Sequence, residues 1–502
     1  MLFSSMIFLW LFLPFVLVVN LVLPIWLSNF FLLAMSFIFY AWGEQEYIWL
    51  LLLSLAVNYA GALGIEAVRG SRPAAGEAAG AAGVTAGTAV STDSQTASGA
   101  GKHTLFTPDK LLLVLLVAVN LGFLGYFKYF DFLTGLVNKL AGGTVAEPKN
   151  LLLPVGISFY TFQMISYAAD VYRGTTGAER NLLNLGLYMS FFPKMIQGPI
   201  ERYQGMGARI RNRHVTPELF ACGARRFIYG LGKKVILANQ FGSVVDKVLA
   251  NPMDQISGGL GWYVGILYTL QIYFDFSGYS DMAVGLGKML GFELTENFNY
   301  PYLARSVGEF WRRWHISLSS WFKDYLYIPL GGSRKGTFVT CRNLMIVFIC
   351  TGFWHGAGLS FLAWGMYYGC LQVAERLFLK RRLECLPAAV SYIYMFFVTV
   401  VGWTMFRADS LTRGLMLLKQ MFLLRPGIYD TAMYMSHKTI VYMVIGIVLC
   451  GPFQALVPCF KKHMQDGRSI YLSESLGLIL LFAYSIVMAV GSTYNPFIYF
   501  RF

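Results

Sequence analysis

Residues Asn343–Gly369 read NLMIVFICTGFWHGAGLSFLAWGMYYG. The stretch carries no Asp, Glu, Lys or Arg, and it exceeds the roughly 20 apolar residues that cross a bilayer. It reads as one membrane span with His355 inside it. In a soluble helix a lone histidine is ordinarily a packing residue; within a span an ionisable side chain is costly and marks function. Gly352, Gly356 and Gly358 flank it, and small neighbours let a second backbone or a substrate approach. A neutral imidazole at that depth can take a proton from a hydroxyl, which is general-base chemistry.

The rest of the chain agrees with a membrane setting. Of its 502 residues, 56% are hydrophobic and 13% charged, against about 25% charged in soluble domains. Mean hydropathy is +0.54. Strand alternation of the barrel type is absent. The reading is therefore an all-α multi-pass membrane protein of about eleven transmembrane helices. Spans are expected near 5–27, 29–42, 46–65, 110–136, 151–172, 185–203, 218–242, 258–290, 343–371, 388–407, 438–458 and 473–493, with 151–172 and 185–203 read as broken, re-entrant or kinked elements because of Pro154, Gly156, Pro193, Gly198 and Pro199. Met1–Tyr40 reads as retained helices and not as a cleaved leader. The whole chain, 1–502, is expected to be one domain, interrupted at about 69–107 by a Gly/Ala/Ser/Thr-rich loop too polar and small-sided to bury a core.

The net charge of +14 does not imply a nucleic-acid partner. The cations sit in connections (Arg202, Arg209, Arg211 and Arg213; Arg312 and Arg313; Arg381 and Arg382; Lys461 and Lys462), as cytoplasmic retention and anionic headgroups both demand. Membrane lipid is the expected partner of that charge. Seven scattered cysteines suggest no disulfide framework, and Cys350, Cys370 and Cys450 are expected to pack in apolar runs. No histidine pair has metal-ligand spacing, so no metal is expected; His103, His214, His437 and His463 are expected to be solvated.

The second polar concentration is Glu296–Gly332, ENFNYPYLARSVGEFWRRWHISLSSWFKDYLYIPLGG. It is too polar to span and too aromatic for a solvated loop. Trp311, Trp314, Trp321, Tyr325 and Tyr327 suit amphipathic helices embedded at one membrane face. Trp311, His315 and Phe322 recur at near-helical spacing, and a simple interfacial anchor accounts for the tryptophans but not for His315. Upstream, Asp275 and Asp281 in YFDFSGYSDMAVG lie about 120° apart on a helix. That is no tight carboxylate pair, and ion pairing with the arginines of 305–313 is the expected role.

These motifs, together with PVGISFYTFQMISYAADVYRG, FFPKMIQGPIERY, GFWHGAG and the closing NPFIYFRF, resemble the membrane-bound O-acyltransferase family, and within it the branch of alginate O-acetyltransferase membrane subunits. The resemblance covers nearly the whole chain; the 70–105 insertion carries no motif. It implies helices ringed around a thin centre, with re-entrant and interfacial elements, where a cytoplasmic thioester meets an outside hydroxyl. By the same resemblance His355 is catalytic and His315 is the second residue implicated. The donor would be acetyl-coenzyme A, acting as substrate with no permanently bound cofactor. The acceptor would be a polysaccharide reached with extracytoplasmic acetyltransferase partner proteins, and the setting the cytoplasmic (inner) membrane. Arg312, Arg313 and Lys323 suit the coenzyme's phosphates, and suit lipid phosphate equally. Asp324 is either an ion-pair partner of Lys323 or catalytic. Transfer is either direct or through an acyl group resting on His355, Ser317 or Ser319. Two rival readings are D-alanyl transfer from a carrier protein to teichoic acid, and a transporter or flippase with histidine proton relays. The latter gains no support from internal repeats.

Overall fold

The computed structural model describes residues 1–70, 107–456, 472–491 and 494. The 71–106 part of the low-complexity loop, His103, Lys461, Lys462, His463 and the closing NPFIYFRF lie outside the described residues.

Among the described residues every regular element is helical. In lipid a backbone must satisfy its own polar groups, and a helix does so within one segment. Four helices among the described residues are long and apolar enough to cross a membrane: Gln45–Gly70, Pro108–Ala141, Thr337–His355 and Ala388–Arg407. Shorter apolar helices cover Phe8–Val22, Ile25–Ala41, His437–Leu449 and Glu474–Val490. The first two stand where 5–27 and 29–42 were expected, with the boundary moved back to Leu23–Pro24, where the chain turns extended.

The helix Gly258–Met289 is the hub, buried along nearly its whole length. It lies against Pro217–Gly232 and the π-helical turn Lys233–Ala238 that follows. Glycines set the approach. A Cβ on Gly230 would stand 2.5 Å from the Gly278 carbonyl oxygen, and one on Gly223 would stand 2.6 Å from that of Gly285. The pairs are one heptad apart on each helix, so one bare stripe meets another. Ion pairs sit on the same contact. Asp281 receives Arg226 at 2.8 Å and Lys233 at 2.6 Å, and Asp275 receives Lys234. The structural role expected of the two aspartates holds, but their partners do not: the cations come from 226–234 and not from 305–313.

Residues 191–202 follow the broken reading. Helix Leu182–Ser190 stops, Phe192–Met195 makes one turn, and the chain then runs without helix to Glu201. This irregular strap is buried in protein, the condition under which non-helical backbone is tolerated in a membrane protein.

Candidate active site

The opening stretch does not form one span. Helix Thr337–His355 ends at the histidine, Gly356 and Gly358 are extended, and a second helix runs Leu359–Ala374. The two close as a hairpin, because a Cβ on Gly352 would stand 2.5 Å from the Phe361 carbonyl oxygen and one on Gly365 2.4 Å from that of Phe348. No charged residue or proline marks the break, so composition hid it. His355 is thus a helix C-terminal residue, its ring boxed edge-on by Trp364 and Phe406, each at 5.1 Å.

The end of that helix has a visitor that sequence reading passed over. Lys128, from the long helix Pro108–Ala141, donates to the carbonyls of Trp354 at 2.5 Å and His355 at 3.2 Å. The neighbouring Tyr129 hydroxyl donates to Phe353. The last carbonyls of a helix lack partners and carry negative partial charge, so an ammonium there is favoured by up to about 2 kcal/mol. The signal was available: Lys128 and Asp131 are the two charges in the apolar run between Lys110 and Lys139.

His315 is held differently. Helix Val307–Arg313 begins with a capping box, Ser306 accepting the Glu309 amide and Glu309 accepting the Arg305 amide. Burial alone would raise the Glu309 carboxyl, but the Arg305 amide and the Arg313 guanidinium outweigh it and hold it below its usual range. The helix stops at Trp314. His315 takes a left-handed backbone (φ 43°) and helix Ile316–Phe322 starts in a new direction. Such a conformation costs a non-glycine residue on the order of 1 kcal/mol or more. It also defeats the helical spacing read across Trp311, His315 and Phe322, which lie on two helices. Trp311, Trp314 and Trp321 are buried in the core and are not interfacial anchors.

What stabilises the kink is the segment 295–299. Glu201 of the strap accepts from the Thr295 amide and hydroxyl. Arg226 grips Glu296. The Asn297 carbonyl accepts the Ile316 amide, and its side-chain oxygen stands 3.1 Å from His315 Nδ1. Three consecutive residues are thus tied to three different parts of the chain. Ser317 Oγ donates to Asn297 and accepts the Ile200 amide, so this hydroxyl is committed to the scaffold.

The two histidines come together around one indole. Trp354 has its ring centroid 4.9 Å from that of His355 and 6.0 Å from that of His315. Cavities flank this group. A polar one of about 450 Å³ is lined by Gly356–Gly358 and Ser360 with Lys128, Asp131, Gln271 and Arg407. An apolar one of about 810 Å³ ends on Trp354 and is walled by Phe162, Trp321 and Phe353. A third, about 210 Å³, reaches Ile316 beside His315 and holds the paired charges Arg226, Lys233, Asp281 and Glu296. The remaining sequence candidates are not at this centre. Arg313 is occupied by Glu309 at 2.7 Å, Arg312 and Lys323 are exposed, and none of the three lines these cavities. Asp324 pairs with Arg202 at 3.2 Å and not with Lys323. Cys450 is buried as expected, but Cys370 is exposed.

A family model described as membrane-bound O-acyltransferase matches residues 178–418. A protein of Azotobacter vinelandii named probable alginate O-acetylase is 35% identical, with 100% of both chains covered. This chain belongs to the membrane-bound O-acyltransferase family. As a member it is an O-acyltransferase enzyme bound to a membrane. The peptidoglycan O-acetyltransferase of Helicobacter pylori is 31% identical over 78% of this chain and 82% of its own. The teichoic acid D-alanyltransferase of Bacillus subtilis is 28% identical over 48% of this chain and 64% of its own.

Proposed function

We propose that this O-acyltransferase moves an acetyl group from a cytoplasmic thioester, acetyl-coenzyme A, to hydroxyls of an envelope or secreted polysaccharide such as alginate, with His355 as general base. The observation that carries the reading is the position of His355: it ends a helix one residue before Gly356, which lines the polar cavity, and it lies across Trp354 from His315. The full-length relatives named as O-acetylases support the acyl group and the acceptor class.

Orientation supports it as well. Helices Thr337–His355 and Ala388–Arg407 both begin just after basic residues, Arg334 and Lys335 in one case and Lys380, Arg381 and Arg382 in the other. Both end at the polar cavity, about 28 and 30 Å further on at 1.5 Å per residue. With the basic ends cytoplasmic, the cavity opens outward, toward a polysaccharide and the partner proteins that handle it. The membrane is then the cytoplasmic one, and the shorter apolar helices complete a ring of about eleven spans around a thin centre. Arg312 and Lys323 remain the candidates for the donor's phosphates, with Arg313 holding the helix of Arg312 through Glu309.

In the reaction His355 takes the proton of the acceptor hydroxyl, and the oxygen attacks the thioester carbonyl carbon. The carbon–sulfur bond breaks, and the departing thiolate receives the proton back from the imidazolium. Ester and free thiol result. The aromatic box around the imidazole excludes water that would hydrolyse the thioester.

The test is purified protein in vesicles with its partner proteins, labelled acetyl-coenzyme A inside and glycan fragments outside. Label appearing as an alkali-labile ester on the glycan is the expected result. Transfer only from a carrier-bound D-alanyl thioester would overturn the donor assignment, and glycan movement with no ester would overturn the enzyme chemistry.

A further inference from the structure

The hydrogen bonds around Asn297 decide which nitrogen of a neutral His315 ring carries the hydrogen. The Asn297 side-chain oxygen lies 3.2 Å from the Ser317 amide nitrogen, 2.9 Å from Ser317 Oγ and 3.1 Å from His315 Nδ1. A backbone N–H only donates, so the carboxamide atom facing Ser317 is the oxygen and not the NH₂. A carboxamide oxygen only accepts. The Nδ1 that meets it therefore carries the hydrogen, and Nε2 of the neutral ring holds the lone pair. Nε2 is buried and has no hydrogen-bond partner among the described residues. The ring lies edge-to-face with Phe276 at 4.6 Å and beside Trp354, the indole shared with His355.

We propose that Asn297 is a positioning residue that holds neutral His315 as the Nδ1–H tautomer, so that Nε2 is presented to substrate as a proton acceptor. In that state His315 receives a hydrogen bond from a hydroxyl or thiol; it cannot donate one to the developing oxyanion, which must find its donors elsewhere. The scaffold is over-determined for this purpose. Ile200 through Ser317, Glu201 through Thr295 and Arg226 through Glu296 all fix the segment that carries Asn297. The orienting group beyond a reactive imidazole commonly selects its tautomer, and here a neutral amide does so without adding charge.

The kinetic part of this proposal rests on the acetyl-transfer reading; the tautomer does not. The experiment uses full-length protein with ¹⁵N-labelled histidine in bilayers, the His315 resonances being identified by their absence in His315→Asn. Wild type should show protonated Nδ1 and bare Nε2. Asn297→Asp keeps an acceptor and should keep that pattern. Asn297→Leu should give mixed or exchanged tautomers, with kcat for acetyl transfer falling roughly 10- to 100-fold and KM changing less than about twofold. A wild-type spectrum with protonated Nε2 and bare Nδ1 overturns the proposal, as does a folded Asn297→Leu with unchanged spectrum and kcat. If Asn297→Leu does not fold, the wild-type and Asn297→Asp spectra decide. If wild type transfers no acetyl group, the spectra still decide the tautomer while the functional reading fails.

Discussion

Trp354 packs its ring against two imidazoles and closes the end of the apolar cavity. A large rigid aromatic at that point fills the space through which water would otherwise reach a thioester. Trp354→Ala should therefore raise release of labelled acetate from acetyl-coenzyme A in the absence of glycan by tenfold or so, while transfer falls. Unchanged hydrolysis would mean that the indole is only packing. Lys128 acts on the same helix end through the backbone. Lys128→Met removes the cation from two carbonyls and should cost about 1–2 kcal/mol of stability, read as a lowered melting temperature in detergent, with Lys128→Arg recovering part of it. His355 itself was legible in the sequence, because a histidine in an apolar run stands out on composition alone. Lys128 is visible in the sequence only as a cation within an apolar run and Asn297 not at all, because the significance of each is a contact with residues far along the chain, and spacing does not encode that.

At the scale of elements, the pairing of Gly258–Met289 with Pro217–Gly232 depends on bare backbone. Gly230→Ala forces a methyl to 2.5 Å from a carbonyl oxygen, so the helices must separate; a loss of about 1–3 kcal/mol is expected from such overpacking. Asp281→Ala should cost more, about 3–5 kcal/mol, because it takes the carboxylate from Lys233 and leaves buried Arg226 with Glu296 alone. Thermal unfolding of the two variants in the same detergent checks both the sizes and their order. The long spans at 46–65, 110–136 and 388–407 were legible because apolar length is a property of sequence. Two breaks were not. The hairpin at Gly356–Gly358 interrupts a stretch with no charge or proline in it, and the kink at His315 interrupts a plausible 3.6-residue period with a single left-handed residue. The interfacial reading of Trp311, Trp314 and Trp321 failed for a related reason: an aromatic-rich, partly charged segment is read as a surface until its neighbours in space are known, and here they are other aromatics.

For the whole molecule, the account requires two faces. The polar cavity with Asp409 at its wall should open on the side opposite Lys323 and the basic connections. In a background with the native cysteines replaced, Asp409→Cys should react with a membrane-impermeant maleimide from outside intact cells, and Lys323→Cys only after the membrane is opened. Reaction of both from one side would dissociate the cavity from an outer acceptor. Family membership carries the acyl-transfer chemistry, and the two labelling results decide which face serves each substrate.

The measurement that tests the central claim most directly is acetyl transfer from acetyl-coenzyme A to glycan by wild type and by His355→Ala, with folding of both verified by melting temperature. The account predicts that kcat falls by about 10²- to 10⁴-fold, the usual worth of a positioned base, while the donor KM stays within a few-fold. A folded His355→Ala protein that transfers acetyl at the wild-type rate would contradict it, and would move the base to His315.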